Sequence, residues 1–177
     1  MNSRELLEEY ASATPQQIAR VEAALEGRSD AELNRSKNGE WSPYRVIEHL
    51  VLSNAPYVEK LRLVIDATPK SDDLLPVRHS WLGRMLIKGA GPSGNAPAPK
   101  PLVPGPGPNT RDVFDRWKAQ QEQMLGLAKS AAERDLSSIR LANPFLKFLK
   151  MNVADCFAIF KEHTERHVRQ IEERVRA

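Results

Sequence analysis

Cysteine, long apolar runs and an excess of one charge are all scarce in this 177-residue sequence. A single cysteine, Cys156, excludes a disulfide within the chain. No stretch approaches the roughly 18 apolar residues that a membrane span needs, and the charged N-terminal segment 1–10 does not resemble a signal peptide. The 26 Lys and Arg against 23 Asp and Glu give a charge of only +3, which argues against a dedicated nucleic-acid-binding protein. We therefore expect a cytoplasmic protein that binds neither nucleic acid nor membranes.

Strand signals are also lacking, and the helix breakers are concentrated in one segment. No alternating run of β-branched residues is bounded by turns, so we predict no strands. Residues 66–109 contain 9 of the 13 prolines and 6 of the 9 glycines, whereas the rest of the chain consists mostly of good helix formers. Because a chain of this length suits one hydrophobic core, we expect a single all-α domain spanning residues 1–177.

Four long helices are predicted on the two sides of this segment. Their apolar residues recur at three- and four-residue spacing over about 3–26, from 43 to about 64, from 110 to about 133, and from 152 to the end of the sequence. The cap-like pair Thr14-Pro15 is compatible with two helices or with one helix that is broken there. Pro56 predicts a kink in the second long helix. The predicted N-caps of the other three helices are Ser42, Thr110 and Asn152.

The segment between the second and third long helices is predicted to be a long crossover. Its apolar stretch 80–88 predicts a short helix that packs on the bundle. Residues 89–109 predict an irregular, partly polyproline arm. An arm of this length is a lid over a site, a bridge to a second subunit, or a crossover loop without further function. Four long helices with one long crossover form a four-helix bundle.

Three of the four histidines are predicted to point into this bundle. His163 and His167 lie one turn apart on a face of the last helix that is otherwise apolar, and His49 lies on the inward face of the second helix. Buried imidazoles need polar partners, and one metal ion would satisfy all three. Each of them taken alone is better explained as a core or surface residue than as a metal ligand, and it is their combination on inward faces of separate helices that favours a metal site. The fourth, His79, is interpreted as a surface or packing residue.

Three nitrogen ligands with an open position are typical of a catalytic metal site. The catalytic group would be a metal-bound water or thiol, whose pKa the metal lowers. Ser53, Cys156 and Phe160 lie one or two turns from the histidines, and they are candidates for lining a substrate pocket, with core packing as the alternative. No carboxylate stands out as a general base.

The two segments that carry these histidines resemble the signatures of a known family. EWSPYRVIEHL at residues 40–50 and FKEHTERHVRQI at residues 160–171 are similar to the second- and fourth-helix motifs of the DinB/YfiT-like metalloenzyme superfamily. The resemblance implies an up-down-down-up four-helix bundle with the long crossover between helices 2 and 3. It also implies that His49, His163 and His167 bind a divalent metal ion, commonly nickel or zinc and sometimes iron.

Characterised members of this family include thiol-dependent S-transferases and isomerases that use bacillithiol or mycothiol. The resemblance therefore implies a metal-dependent S-transferase with a small-molecule substrate and a low-molecular-weight thiol as cofactor. A metal-dependent hydrolase and a non-catalytic stress-response or binding module are the alternatives. The proline-rich arm and the stretch 143–147, which lacks a glycine often found there, are where specificity would differ from relatives. A homodimer is compatible with the resemblance, with the apolar segments 81–87 and 145–149 as candidate contacts.

Overall fold

The protein is built almost entirely of helices in the computed structural model, which describes residues 1–71, 75–95, 97–145 and 148–176. In chain order the elements are α1 (Ser3–Leu25), α2 (Asp30–Leu33), α3 (Pro43–Asp66), α4 (Trp81–Ala90), a 3₁₀ turn (Lys100–Leu102), α5 (Asp112–Ala131), β1 (Arg140–Ala142), β2 (Lys150–Asn152) and α6 (Val153–Arg176). The long helices α1, α3, α5 and α6 form the bundle.

Two core clusters at opposite ends of the bundle show in which direction each long helix runs. The first cluster takes its apolar side chains from the beginnings of α1 and α6 and from the ends of α3 and α5. The second cluster takes them from the ends of α1 and α6 and from the beginnings of α3 and α5. The helices α1 and α6 therefore run in one direction and α3 and α5 in the other, which confirms the predicted up-down-down-up bundle.

A layer of buried polar side chains separates the two clusters, and each of the four long helices contributes to it. The layer includes Thr14, Gln17, His49, Ser53, Asn54, Gln121, Thr164 and His167. Buried polar groups are stable only when they find partners. In this layer the residue types are therefore explained by polar contacts rather than by apolar packing.

The ends of the long helices agree with the predicted caps at two of three positions. Ser42 caps α3 by accepting a hydrogen bond from the Arg45 backbone N–H, and Asn152 caps α6 by accepting one from Asp155 N–H at 2.8 Å. The predicted Thr110 cap of α5 is wrong, because the helix begins only at Asp112. Arg111, the preceding residue, already has helical backbone angles and makes no capping hydrogen bond through its side chain.

Neither internal proline interrupts its helix. The helix α1 is continuous through Pro15, so the first region is one helix rather than two. The helix α3 likewise continues through Pro56. Both helices bury apolar residues before and after the proline, so tertiary packing outweighs the backbone hydrogen bond that each proline removes.

The short helix of the crossover, α4, is attached to the start of α6 through one buried carboxylate. Asp155 accepts hydrogen bonds from His79 Nδ1 at 3.0 Å and from the backbone N–H and hydroxyl of Ser80 at 3.1 and 2.6 Å. Its second oxygen also accepts one from Asn152 N–H at 2.9 Å. Gly83 allows this approach, because a Cβ atom at that position would overlap with the carboxylate.

The prediction that the chain has no strands is wrong. The strands β1 and β2 form an antiparallel pair in which Leu141 is opposite Met151. Each strand has only three residues, which is too short for an alternating pattern to be recognised in the sequence. Of the apolar segments 81–87 and 145–149, Trp81, Met85 and Phe148 are exposed. Residues 146 and 147 lie outside the described residues, and the homodimer stays a prediction.

None of the helices in the described ranges combines the length and the apolar content that crossing a membrane requires.

Candidate metal centre

The three histidines singled out in the sequence meet inside the polar layer. Because α3 and α6 pack against each other in opposite directions, His49 lies level with the turn of α6 that carries His163 and His167. The Nε2 atom of His163 is 3.2 Å from Nε2 of His49 and 3.0 Å from Nε2 of His167. One nitrogen from each ring lies within 4.8 Å of the other two.

The opposite nitrogen of two of these rings is occupied by a hydrogen-bond acceptor. His49 Nδ1 donates to the backbone carbonyl of Leu102 at 2.8 Å, and His167 Nδ1 donates to Oε1 of Gln170 at 2.8 Å. A carbonyl oxygen only accepts, so both rings carry their proton on Nδ1. The Nε2 atoms of His49 and His167 therefore present lone pairs to the centre of the group.

Protons on the three rings cannot satisfy this arrangement. The Nε2 atom of His163 faces two acceptors, and even when protonated it donates one hydrogen to one of them. The Nε2 lone pair of the other histidine is then left without a hydrogen-bond donor. A cation placed between the three Nε2 atoms removes this conflict.

Burial keeps all three rings neutral. It lowers the pKa of His49, and it lowers the pKa of His163 to about 3, together with the nearby His49 and the Arg166 charge. Burial also lowers the pKa of His167 well below its usual value, with further contributions from His163 and His49. At neutral pH the rings are thus in the unprotonated form that coordinates metals.

The spacing of the nitrogens fits a single metal ion. Zinc–nitrogen bonds of about 2.0–2.1 Å place two ligands roughly 2.8–3.4 Å apart for bond angles between roughly 90° and 109°. The observed separations of 3.0 and 3.2 Å lie in this range. Among the residues that the structure describes, the side chains grouped closely enough to share a metal ion are these three histidines. Three protein ligands leave a coordination position for water or substrate.

The proline-rich arm covers one side of this group. Its 3₁₀ turn supplies the Leu102 carbonyl, and Pro104 O accepts a hydrogen bond from the Arg45 guanidinium at 3.0 Å, one turn before His49. On another side, the Trp41 ring packs on the His49 ring with a centroid distance of 5.1 Å. These contacts hold His49 in place from both flanks.

The three candidates for pocket lining have different environments. Ser53 donates its hydroxyl hydrogen to the carbonyl of His49 at 2.7 Å. Cys156 is fully buried in the first core cluster, and burial raises the pKa of its thiol well above its usual value. Phe160 packs edge-on against Tyr57 at a centroid distance of 5.0 Å. These contacts favour core packing for Cys156 and Phe160 and a hydrogen bond to the backbone for Ser53.

His79 lies apart from the histidine group. It is bound to Asp155 at the start of α6, in agreement with its interpretation as a packing residue. It also lines a cavity of about 480 Å³ between α1, α4 and α6. His49, His163 and His167 are not among the residues that line this cavity.

Sequence reasoning missed the groups that orient the histidines. Gln170 could have been found, because it lies three residues after His167 and helical neighbours at that spacing share a face. Nothing in the sequence indicated the Leu102 carbonyl, because every residue has a backbone carbonyl whatever its side chain. Trp41 belongs to the motif at residues 40–50, but its contact with His49 was not predicted.

Comparisons with known proteins agree with this geometry. The sequence profile of the DinB superfamily matches residues 13–171. Among solved structures, YfiT from Bacillus subtilis, described as a probable metal-dependent hydrolase with an unusual four-helix bundle topology, superimposes with a TM-score of 0.60 at 15% sequence identity. The match covers 96% of this chain and 86% of YfiT. No curated protein matches the sequence significantly.

Proposed function

Because the chain belongs to the DinB superfamily, we propose that it is a metal-dependent enzyme in which His49, His163 and His167 hold one divalent metal ion. The observation that carries this proposal is the convergence of three Nε2 atoms whose rings cannot all be satisfied by protons. Nickel and zinc suit a set of imidazole ligands, and iron is the third candidate.

Each part of the site has a defined task in this proposal. A bound divalent ion would lower the pKa of a coordinated water or thiol and so supply a nucleophile at neutral pH. Leu102 and Gln170 hold the proton of His49 and His167 on Nδ1, and this keeps the Nε2 lone pairs directed at the ion. Trp41 and the proline-rich arm restrict access of bulk water to His49.

The favoured reaction is thiol S-transfer from a low-molecular-weight thiol to a small electrophilic substrate. The thiol loses its proton to solvent, and its sulfur forms a bond to an electrophilic carbon, whose leaving group departs with the bonding electrons. The chain's own thiol does not serve as this nucleophile, because Cys156 is fully buried and burial raises its pKa. The thiol must therefore be a second substrate or cofactor.

Metal-dependent hydrolysis is the second candidate reaction. It is favoured by the structural similarity to YfiT, which is described as a probable metal-dependent hydrolase. The three-histidine group would serve hydrolysis equally well, because water is also a ligand for the open position.

Metal content tests the centre itself. Gently purified wild-type protein should contain about one metal ion per chain, measured by elemental analysis. The triple variant with alanine at positions 49, 163 and 167 should contain almost none. Equal metal content in the two proteins would contradict the proposal. Anomalous scattering across the nickel and zinc edges identifies the ion and its position.

An activity screen separates the candidate reactions. Metal-loaded protein is tested with an electrophile plus bacillithiol, mycothiol or glutathione, and separately with esters and amides in the absence of thiol. Product formation that requires the thiol supports S-transfer, whereas thiol-independent cleavage supports hydrolysis. His167→Ala serves as the control and should abolish either activity. A metal-loaded protein that is inactive in both screens would favour the non-catalytic module.

A further inference from the structure

A second cavity, of about 280 Å³, lies at the end of the bundle where α3 begins and α6 ends. Its lining comes from α2 and the loops on both sides of it, from the start of α3 and from the last turn of α6. Trp41 belongs to its wall and also contacts His49, but none of the three histidines lines it. Its volume is close to the lower limit, about 300 Å³, of ordinary small-molecule sites.

Arg174 lines this cavity and has two buried hydrogen-bond donors without an acceptor. Its side chain is only 18% exposed, and its Nε and Nη1 atoms lie without a hydrogen-bond partner. The Glu40 carboxylate is 3.6 Å from Nε, beyond hydrogen-bond distance, and Glu40 itself is largely exposed. Unsatisfied donors on a buried charged group are unfavourable, so an acceptor that reaches this guanidinium from the cavity would stabilise it.

Positive charge predominates around Arg174. The basic residues that line the cavity are Arg28, Arg35, Lys37 and Arg174, and the acidic ones are Glu32 and Glu40. The Glu32 carboxylate accepts hydrogen bonds from the backbone N–H and the hydroxyl of Ser29 at 2.8 and 2.7 Å and keeps its negative charge, so four basic against two acidic side chains leave the lining with a net charge of +2. Concave sites with an excess of one charge attract ligands of the opposite charge.

The rest of the wall is apolar. Leu33, Trp41 and Val175 line the cavity beside the charged residues. Leu33 is already fully buried in the second core cluster, so the apolar surface that a ligand could cover belongs to Trp41 and Val175, which are half-buried. An inorganic ion alone would leave this surface uncovered. A ligand with an apolar body would bury it and gain from the hydrophobic effect.

We propose that this cavity binds a small molecule with one oxyanion group, a carboxylate or a phosphate, paired with Arg174, and with an apolar body against Trp41 and Val175. A guanidinium binds such a group through two parallel hydrogen bonds. The site is independent of the metal centre, and it stands even if the three histidines bind no metal.

Isothermal titration calorimetry of the full chain with small anions and a neutral control compound tests this site. Benzoate combines the carboxylate with an apolar ring and should bind with a Kd below about 1 mM. Benzamide has the same shape without the charge, and it should bind at least about tenfold more weakly. Inorganic phosphate and phenyl phosphate tell whether the site prefers phosphate to carboxylate. If none of these anions binds in this range, or if benzamide equals benzoate, the proposal is wrong.

Two variants and a matched control assign the binding to Arg174. Arg174→Met should weaken the binding of the preferred anion at least about tenfold, which is a loss of roughly 1.4 kcal/mol, and Arg174→Lys should be intermediate because it keeps the charge but not the paired donors. Arg176→Met, an exposed position on the same helix, removes the same charge and should bind like wild type. Equal losses in Arg174→Met and Arg176→Met would overturn the proposal. If Arg174→Met fails to fold, Arg174→Lys gives the answer, and the metal content of each variant is measured to keep this site separate from the metal centre.

Discussion

The Nδ1 atom of His167 lies 2.8 Å from Oε1 of Gln170, one turn further along α6. This contact determines which nitrogen of His167 faces His163 and His49. Groups that orient metal-binding histidines in this way fix the tautomer of the ring and thereby contribute to metal affinity.

We expect Gln170→Leu to weaken metal binding by about 10- to 100-fold. The substitution removes the acceptor, so the proton of His167 is no longer held on Nδ1 and can occupy the coordinating nitrogen. Affinity is measured by competition with a chromogenic chelator. Gln123→Leu, at an exposed position of α5, is the matched control and should bind metal like wild type. Equal affinities for all three proteins would show that Gln170 has no orienting role.

The metal-free protein should lose stability as the pH falls from about 6.5 towards 3. Burial, followed by the neighbouring His49 and Arg166, lowers the pKa of His163 to about 3 in the folded state, whereas an unfolded histidine titrates near about 6.5. Between these values the unfolded chain binds more protons, so the free energy of unfolding increases with pH. Urea unfolding at a series of pH values measures this slope.

His163→Gln tests the origin of that slope. Glutamine does not titrate, so the variant should show a smaller loss of stability between about pH 6.5 and about pH 3. Part of the loss should remain, because burial also lowers the pKa of His49 and His167. A variant with the same pH slope as wild type would show that His163 does not contribute.

The same substitution, glycine to alanine, should have opposite effects at two positions. At Gly83 a Cβ atom would overlap with the Asp155 carboxylate, so Gly83→Ala should destabilise the protein by about 1–3 kcal/mol. At Gly126, within α5, a Cβ atom would meet nothing within 4 Å, and Gly126→Ala should stabilise it by about 0.5–1 kcal/mol. Chemical denaturation of both variants checks the two signs. Destabilisation of equal size at both sites would mean that the contact between α4 and α6 is not as described.

Removal of the Asp155 carboxylate should cost about 2–4 kcal/mol of stability, because Asp155→Ala leaves the buried donors of Ser80 and Asn152 without an acceptor. Asp112→Ala is the control. Its carboxylate pairs with Arg116 at the surface, and its loss should change stability by at most about 1 kcal/mol. The free energy of unfolding in urea gives both values. A loss at position 155 no larger than that at position 112 would refute the role of Asp155 in holding α4.

Much of the fold was predictable because helix signals are local. The proline at the start of α3 and the caps Ser42 and Asn152 define helix ends within a few residues, and the spacing of apolar residues identifies the buried faces. The errors occurred where local signals are weak or compete with packing. Thr110 resembles a cap but is followed by a turn that is already helical. The three-residue strands β1 and β2 are defined by their mutual pairing, which residue identity does not reveal.

The same distinction between local signals and tertiary packing applies to the candidate site. The sequence by itself placed His163 and His167 on one face of one helix, because four residues make about one helical turn, and it placed His49 on the inward face of another. Only the tertiary structure decided that Nε2 of His49 lies 3.2 Å from Nε2 of His163, since this distance depends on how α3 and α6 pack. It also brought the Leu102 carbonyl to His49 across 53 residues of chain. That contact depends on the path of the crossover arm, whose irregular backbone obeys no periodic rule that could be read from the sequence.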